Sequence, residues 1–416
     1  MTPTAKILPV VGAVAAMTLL PGPSASARGQ GPTLTGRAIL AAETTAVGPP
    51  SGAALEAPPG TSTVINGITF RRPEQPVIGF SAIVTGRKSG EYLAMPDNGY
   101  GSKLNSRDFL IRAYPIDPDF KTARGGAGDV EVGPFVQFRD PDQKLAFPIV
   151  NENTTDRLLT GADIDPESLQ RARNGDFWMG EEFGPWILHF DARGVLLDAP
   201  YALPEGLMSP SNPSLPAGTP ATQPNSRGLE AMAMTPDGKY LYATLEGATV
   251  ADGTTSPQRR KVFEFSVAAK RFTGRQWKLR TENAANLVAD AWGLDSHRMV
   301  VIERDGGRGL NAVFRSVYVV DLKRVDAEGY VSKTLAVDLA SIPDPNLISL
   351  PERYPGDVGL GNPFRVTCES VEAVHVLGRG RLLIGCDNNL PNTGRNPGRA
   401  DDTELITIDV PGLKGH

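Results

Sequence analysis

Long hydrophobic runs are almost absent from this sequence. The one near the N-terminus, Ile7 to Leu20, is shorter than the roughly 20 apolar residues that a membrane-spanning helix needs, and no later stretch approaches that length. It follows Lys6 and is followed by small residues that end in Ala25-Ser26-Ala27, a pattern typical of an export signal. We therefore expect residues 1–27 to be a cleaved signal peptide and the mature protein to be secreted, extracellular and without a membrane anchor.

Cysteine and histidine are scarce, with two and four residues in the whole chain. Cys368 and Cys386 flank a predicted hairpin that brings their sulfurs near each other, and in an exported protein an even pair is usually a disulfide. The alternative is two buried free thiols. The histidines are scattered along the chain, so nothing supports a phosphatase that works through a histidine nucleophile.

Motifs of several common enzyme classes are missing as well. The sequence contains no Gly-x-Ser-x-Gly nucleophile elbow, no Gly-x-x-x-x-Gly-Lys-Ser/Thr phosphate loop and no His-Glu-x-x-His zinc motif. The formal net charge is −5 and no basic patch stands out, which argues against a nucleic-acid partner.

Glycine and proline, in contrast, are abundant, with 45 and 36 residues, as expected of a β-protein with many turns. The stretch from Gly228 to Gly247 is the clearest example. Two β-forming segments, Leu229 to Met234 and Tyr240 to Leu245, flank the turn sequence Thr235-Pro-Asp-Gly238. This pattern predicts a β-hairpin with one carboxylate, Glu230, near its start and another, Glu246, just after its end.

The hairpin recurs at intervals of roughly 55 to 85 residues, which is the signature of an array of similar large modules. The other four copies are Phe80 to Asp97, Pro166 to Glu182, Leu287 to Asp305 and Ser370 to Asn388. Third strands are predicted after the hairpins, for example Trp186 to Phe190 and Lys261 to Val267. Fourth strands are predicted at Arg271 to Leu279 and Val331 to Leu339.

These modules predict an all-β fold, a β-propeller with about five to six four-stranded blades. A sixth blade would have to come from Pro141 to Thr160 or from Ala340 to Pro363, and a pair of β-sandwiches is the alternative architecture. No fourth strand follows the third strand of the last module. We therefore expect the N-terminal strand Thr33 to Leu40 to complete the last blade and close the ring. The predicted domains are an N-terminal segment at residues 28–76, which contains that strand and loops, and a propeller at residues 77–412. We expect the protein to be a monomer.

Carboxylates recur at matching positions of the hairpins. Glu167, Glu230 and Glu372 share one position in the first strand, where the first copy has Ser81, and Asp97, Glu182, Glu246, Glu303 and Asp387 stand at the end of the second strand. Because first strands line the axis of a propeller, these groups would repel one another unless they bound protons or cations. All-oxygen ligands favour Ca²⁺, and the predicted metal ligands are Glu167, Glu230, Glu246, Glu303, Glu372 and Asp387. The alternative is that they cap turns or pair with arginines.

Five motifs in order carry a resemblance to a known family, the phytase-like propeller domain, also called the esterase-like domain of phytase. They are Met95 to Gly101, Gly175 to Pro185, Arg227 to Ala233, Val301 to Asp305, and Glu369 to Ala373 together with Cys386-Asp-Asn388. The match spans about Gly79 to Val410. Met-Pro precedes Asp97 where Ser-Asp is commoner, and Glu181-Glu182 stands where Asp-Glu is usual, but the carboxylates remain.

The resemblance implies a secreted propeller and phosphoester chemistry. Our first hypothesis is a Ca²⁺-dependent phosphoesterase acting on a small polyanionic substrate, with Glu230, Glu182 and Asp97 as catalytic residues. Basic residues near these positions are the candidates to bind phosphate: Arg227, Arg304, Lys103 and Arg107. The alternatives are a non-catalytic, metal-stabilised extracellular binding propeller and a lactonase-like ester hydrolase.

The signal peptide is directly testable. N-terminal sequencing of the protein from culture supernatant should begin at Arg28. An intact Met1, or recovery of the protein only with membranes, would contradict this expectation.

Overall fold

The computed structural model describes Met1 and residues 31–413. The predicted signal peptide, apart from Met1, and its cleavage point at Ala27 therefore lie outside the described residues. In the described part of the chain, no helix has the length and apolar character needed to span a membrane.

The N-terminal segment contributes one long strand and two small ribbons. Its strands are β1 (Thr33–Leu40), β2 (Thr45–Ala46), β3 (Thr63–Ile65), β4 (Ile68–Phe70) and β5 (Gln75–Pro76). β2 pairs with β5 and β3 with β4, both antiparallel. A 3₁₀ turn, Ala53–Leu55, lies between β2 and β3.

Twenty further strands form sheets in chain order. The first sheet has β6 (Ala82–Thr85), β7 (Tyr92–Met95), β8 (Arg112–Asp119) and β9 (Asp129–Val132), with β10 (Val136–Gln137) beside β8. The second has β11 (Pro166–Arg171), β12 (Phe177–Glu181), β13 (Trp186–Phe190) and β14 (Tyr201–Ala202), followed by a 3₁₀ turn at Pro204–Gly206.

The remaining sheets repeat this order. The third has β15 (Leu229–Met234), β16 (Tyr240–Leu245), β17 (Arg259–Ser266) and β18 (Arg271–Arg280), with the helix α1 (Val250–Thr255) between β16 and β17. The fourth has β19 (Leu287–Gly293), β20 (Arg298–Arg304), β21 (Arg315–Val325) and β22 (Val331–Asp338), with a 3₁₀ turn at Gly309–Asn311. The fifth has β23 (Ser370–Gly378), β24 (Arg381–Asp387) and β25 (Thr403–Asp409).

β1 is the fourth strand of the fifth sheet, because it pairs antiparallel with β25 from Thr33↔Asp409 to Leu40↔Thr403. This is the position that the sequence predicts for it. β1 also makes one parallel pair with β9, Ile39↔Asp129, so the fifth and first sheets meet there.

The five sheets form a ring. Their first strands contact one another in turn, β6 with β11, β11 with β15, β15 with β19 and β19 with β23, and β23 contacts β6 again. The fold is therefore a β-propeller with five four-stranded blades, as the five hairpins predict. In the two segments considered for a sixth blade, residues 141–160 and 340–363, the structure has only isolated bridges and no strand.

Five apolar clusters hold the ring together, one at each contact between neighbouring sheets. The contact between sheets two and three contains Trp178 and Phe265, for example, and the contact between sheets five and one contains Leu383 and Tyr114. Because side chains alternate along a strand, each sheet presents apolar groups on both faces. Burial is thus concentrated between blades, which leaves the axis of the ring to polar groups.

A disulfide joins Cys368 and Cys386, with their Cα atoms 6.1 Å apart, and confirms the predicted pairing. Cys368 lies just before β23 and Cys386 near the end of β24. The bond therefore fastens the first hairpin of the fifth sheet at its open end.

Removal of this disulfide should destabilise the protein. We expect the double variant Cys368→Ser/Cys386→Ser to lose about 3 kcal/mol of unfolding free energy, because the cross-link restricts the unfolded chain. Urea unfolding of both proteins measures the difference, with oxidised wild type unfolded in reducing buffer as the matched control. Equal midpoints for all three samples would contradict the expected stabilisation.

Candidate functional site

In the second, third and fifth sheets, a β-bulge near the start of the first strand turns a glutamate toward the axis. The bulges lie between Pro166 and Ser168, between Leu229 and Ala231, and between Val371 and Ala373. The unpaired residues are Glu167, Glu230 and Glu372, the three that share one position in the sequence repeat. A bulge inserts one residue and re-aims its side chain, and one oxygen from each glutamate lies within 4.8 Å of the other two.

The ends of the second strands supply the next carboxylates. On the second strand, the residue that pairs with the position just before the bulge is Glu181, Leu245 or Cys386. The next residue along the chain is an acid in each case: Glu182, Glu246 and Asp387, respectively. Together with Asp97 and the bulged glutamates, they line an axial cavity of about 420 Å³ at this end of the ring. The structure thus brings together Asp97 and five of the six predicted metal ligands.

The fourth sheet departs from this pattern at both positions. Its bulged residue is Ala289, and Arg304 follows Glu303, which pairs with Val288. An arginine therefore stands where the other sheets place a carboxylate. The Arg304 guanidinium lies 2.5 Å from Glu372 and 3.4 Å from Glu246, so it bridges the third and fifth sheets inside the cavity.

Glu303, the sixth predicted metal ligand, lies outside this cavity. Because successive side chains of a strand point to opposite faces, Glu303 faces away from the side on which Arg304 meets the other acids. Its carboxylate accepts hydrogen bonds from the side chains of Asn286 at 2.7 Å and Lys333 at 2.6 Å. It is a paired structural acid, and Arg304 is the axial residue of its blade.

The axial acids form three overlapping groups, each with one oxygen per residue within 4.8 Å of the others. They are Asp97–Asp165–Glu167, Glu167–Glu230–Glu372 and Glu182–Glu230–Glu246. Some of these oxygens lack protein donors: among the described residues, no N–H group donates to Glu167 or Glu230, and Oδ1 of Asp165 has no partner. Buried carboxylates without donors are costly unless another positive group satisfies them.

Burial and mutual repulsion change the proton affinity of these groups. Desolvation, followed by the charge of neighbouring acids, raises the pKa of Glu167 and Glu230 well above the usual value. Desolvation raises the pKa of Asp97 to about 7, although the Gly99 N–H opposes the shift. Burial alone would lower the pKa of Arg304, but Glu372 and Glu246 raise it, so this guanidinium stays charged.

The donor set fits a hard cation. All candidate ligand atoms are carboxylate oxygens, three acids converge in each group, and a cation would offset the repulsion that raises the pKa values. Glu167 and Glu230, which each belong to two of the groups, are the residues best placed to hold one.

The predicted phosphate-binding residues separate into two pairs. Arg227 and Arg304 line the cavity, and Arg227 lies 2.9 Å from Glu246. Lys103 donates to the Ser211 carbonyl at 2.7 Å and lies over the Phe183 ring, and Arg107 is exposed on the same loop. Neither Lys103 nor Arg107 lines the cavity, so only the first pair can meet a ligand there without rearrangement.

Besides Glu369, which lies just before β23, the cavity contains one further acid that the sequence analysis does not predict, Asp165. It precedes the second hairpin, so a search restricted to hairpin positions passes over it. The available signal was the alternation of Asp163, Asp165 and Glu167, which places three acids on one side of an extended segment. Asp163 instead accepts hydrogen bonds from the backbone N–H groups of Val150 and Thr160 and does not line the cavity.

The fold and this site define a class, a five-bladed propeller with an acidic axial cavity. Residues 75–390 match the phytase-like family, described as "Esterase-like activity of phytase". The chain belongs to this family.

More distant similarities add little. An "Uncharacterized secreted protein" of Arthroderma benhamiae is 29% identical over 114 residues, 24% of this chain and 22% of that protein. The chain thus matches about a fifth of that relative's length. Among solved structures, an endo-arabinase from Bacteroides thetaiotaomicron is 12% identical with a TM-score of 0.37, covering 81% of this chain and 97% of its own. A protein of unknown function from Dyadobacter fermentans is 8% identical with a TM-score of 0.39, covering 91% and 99%. Neither structural likeness bears on function.

Divalent cations should stabilise the folded protein. A cation that binds only the folded state, at a free concentration of about 100 times its dissociation constant, adds about 2.7 kcal/mol to the free energy of unfolding. The thermal midpoint should therefore rise with added cation and fall with chelator. Glu230→Gln should weaken this response. The matched control is Glu91→Gln, since Glu91 lies in the turn after β6, away from the axis.

Differential scanning fluorimetry of the three proteins, after metal removal verified by elemental analysis, measures the response. A midpoint that does not change between excess chelator and excess cation would contradict cation binding by the axial acids.

Proposed function

We propose that this protein is a Ca²⁺-dependent phosphoesterase that acts, as a monomer, on a small polyanionic phosphate ester. The observation that supports the proposal is the axial cavity, in which Glu167 and Glu230 accept no N–H donor from the described residues while Arg227 and Arg304 lie beside them. An all-acid cavity would reject an anion, but a cation together with the two arginines makes its charge compatible with phosphate.

The proposal also places the protein outside the cell. The disulfide between Cys368 and Cys386 suits an oxidising compartment, and the relative from Arthroderma benhamiae is called a secreted protein. Free Ca²⁺ is plentiful in such a compartment, so a site of this kind would be loaded there.

Each cavity residue has a separate task in this proposal. When bound, Ca²⁺ would supply positive charge for the phosphoryl oxygens. Glu167, Glu230 and Glu372 would hold the cation, and Arg304 keeps Glu372 and Glu246 in place through its two contacts. Arg227, whose side chain is 40% exposed, can turn toward a substrate phosphate.

Proton transfer falls to an acid at the edge of the cavity. Asp97 is half-buried, whereas Glu182 and Glu230 are buried, so it is the best placed to take a proton from an attacking water. Its carboxylate is oriented by the Gly99 N–H at 2.7 Å. Glu182 is fixed by the Gly228 N–H at 2.6 Å and would position the cation-binding acids rather than exchange protons.

A non-catalytic binding propeller is the second candidate, and the ion pairs favour it. Arg304 contacts two acids and Arg227 contacts one, so the arginines already neutralise part of the cluster. In that case the cation would serve stability alone, and the protein would respond to Ca²⁺ without releasing phosphate.

Activity assays distinguish the two candidates. With Ca²⁺, purified mature protein should release phosphate from phytate or an aryl phosphate, and Asp97→Asn should lower kcat by about 100-fold or more while the thermal response to Ca²⁺ remains. The matched control is Asp117→Asn, an exposed aspartate on β8 that should leave the rate unchanged.

An aryl acetate and a lactone complete the panel and test for ester hydrolysis. No phosphate release from either phosphate ester in the presence of Ca²⁺ would defeat the proposal. Activity that survives Glu230→Gln, Glu182→Gln and Asp97→Asn together would defeat it as well.

A further inference from the structure

The axis of the ring has a second cavity at its opposite end. Arg171, Met234 and Val376 line it, and each follows a bulged glutamate by four residues on the same first strand, which places it roughly 13 Å farther along the axis. Residues from all five sheets contribute, and the volume is about 500 Å³. We call this cavity the turn-side mouth, because the turns between first and second strands surround it.

The charge of the turn-side mouth is opposite to that of the acidic cavity. Its lining includes Arg171 and Arg173 and, within the described residues, no carboxylate. Arg171 donates weakly to the carbonyls of Thr85 and Gly86 at 3.4 and 3.3 Å, and Arg173 donates to that of Pro236 at 2.9 Å. Among the described acids, none lies within 4.0 Å of either guanidinium, so both retain unpaired charge.

An aromatic surface lies beside these arginines. Trp292 is half-buried, lines the mouth together with His375 and packs against the His375 ring, with centroids 4.0 Å apart. His375 is buried and shares a 2.9 Å hydrogen bond with the Thr85 hydroxyl. Burial lowers the pKa of His375 to about 4, so the imidazole is neutral at physiological pH and the positive charge comes from the arginines.

We propose that the turn-side mouth binds a ring-bearing organic anion, with the ring against Trp292 and the acidic group at Arg171 and Arg173. A half-buried indole at the wall of a cavity offers apolar area to a flat ring or to the C–H face of a sugar. Unpaired guanidinium groups select a carboxylate or related anion through charge-assisted hydrogen bonds. This site is separate from the acidic cavity and needs no metal.

The ring can belong to a sugar acid or to an aromatic acid, and both present the same two recognition elements. Gln170 and Thr85 also line this end of the ring, but their side chains are already hydrogen-bonded, Gln170 to the Met232 carbonyl at 2.7 Å and Thr85 to His375, so they do not choose between the two. The experiment therefore uses glucuronate and benzoate as separate probes. Carboxylates are chosen in place of phosphate esters, so that hydrolysis in the acidic cavity cannot contribute.

Isothermal titration calorimetry of the Ca²⁺-loaded protein should show saturable binding of at least one of the two acids. Neutral glucose and benzyl alcohol should bind at least about tenfold more weakly, because they lack the charge that pairs with arginine. Arg171→Gln and Trp292→Ala should each weaken binding by about tenfold, since each removes one recognition element.

Two controls keep the result interpretable. Glu230→Gln should leave binding of the acid unchanged, which separates this site from the acidic cavity, and Arg171→Gln should leave any phosphatase activity unchanged. Trp292 also packs against core residues, so circular dichroism must show that Trp292→Ala is folded, and Arg171→Gln serves if it is not. The proposal is overturned if neither acid binds, if the neutral compounds bind equally well, or if Arg171→Gln binds like wild type.

Discussion

Each of the five blades is packed on both of its faces, and the rest of the molecule depends on that constraint. The five apolar clusters lie between neighbouring sheets, so a sheet cannot leave the ring without exposing two surfaces. The axis takes little part in this burial. It can therefore hold nine acids whose mutual repulsion would disrupt an ordinary core, with the cost borne by packing elsewhere.

Within that frame, the fourth sheet makes the axial cavity asymmetric. Three sheets contribute a bulged glutamate and an acid at the end of the second strand, whereas the fourth contributes Ala289 and Arg304. The fourth sheet therefore adds no acid at these two positions, and the side chain of Arg304 contacts Glu372 on one side and Glu246 on the other. One permanent positive charge is thus built into the cluster, next to the acids of the third and fifth sheets and away from Asp97, Asp165 and Glu167.

Much of the fold was predictable because each blade begins with the same local signal. Alternating residues around a glycine turn predict the hairpins from Gly228 to Gly247 and their copies without reference to tertiary structure. The site was less predictable, because it depends on register. Arg304, and not Glu303, takes the position that Glu182, Glu246 and Asp387 hold in their sheets, because Glu303 pairs with Val288, and this register is set by the neighbouring strand rather than by the residues around Glu303. Asp165 lies before its hairpin, and the distance of Lys103 and Arg107 from the cavity depends on how a long loop folds back onto Ser211.

The position of β1 also bears on how the chain reaches its final form. β1 comes first among the described strands, yet its antiparallel partner, β25, is the last described strand to be synthesised, so Thr33 must wait for Asp409. The contact with the largest separation along the chain is therefore one of the last that can form, and such contacts slow folding. Until then the fifth sheet lacks one of its four strands. The ring can therefore close only after nearly all of the described strands have been synthesised.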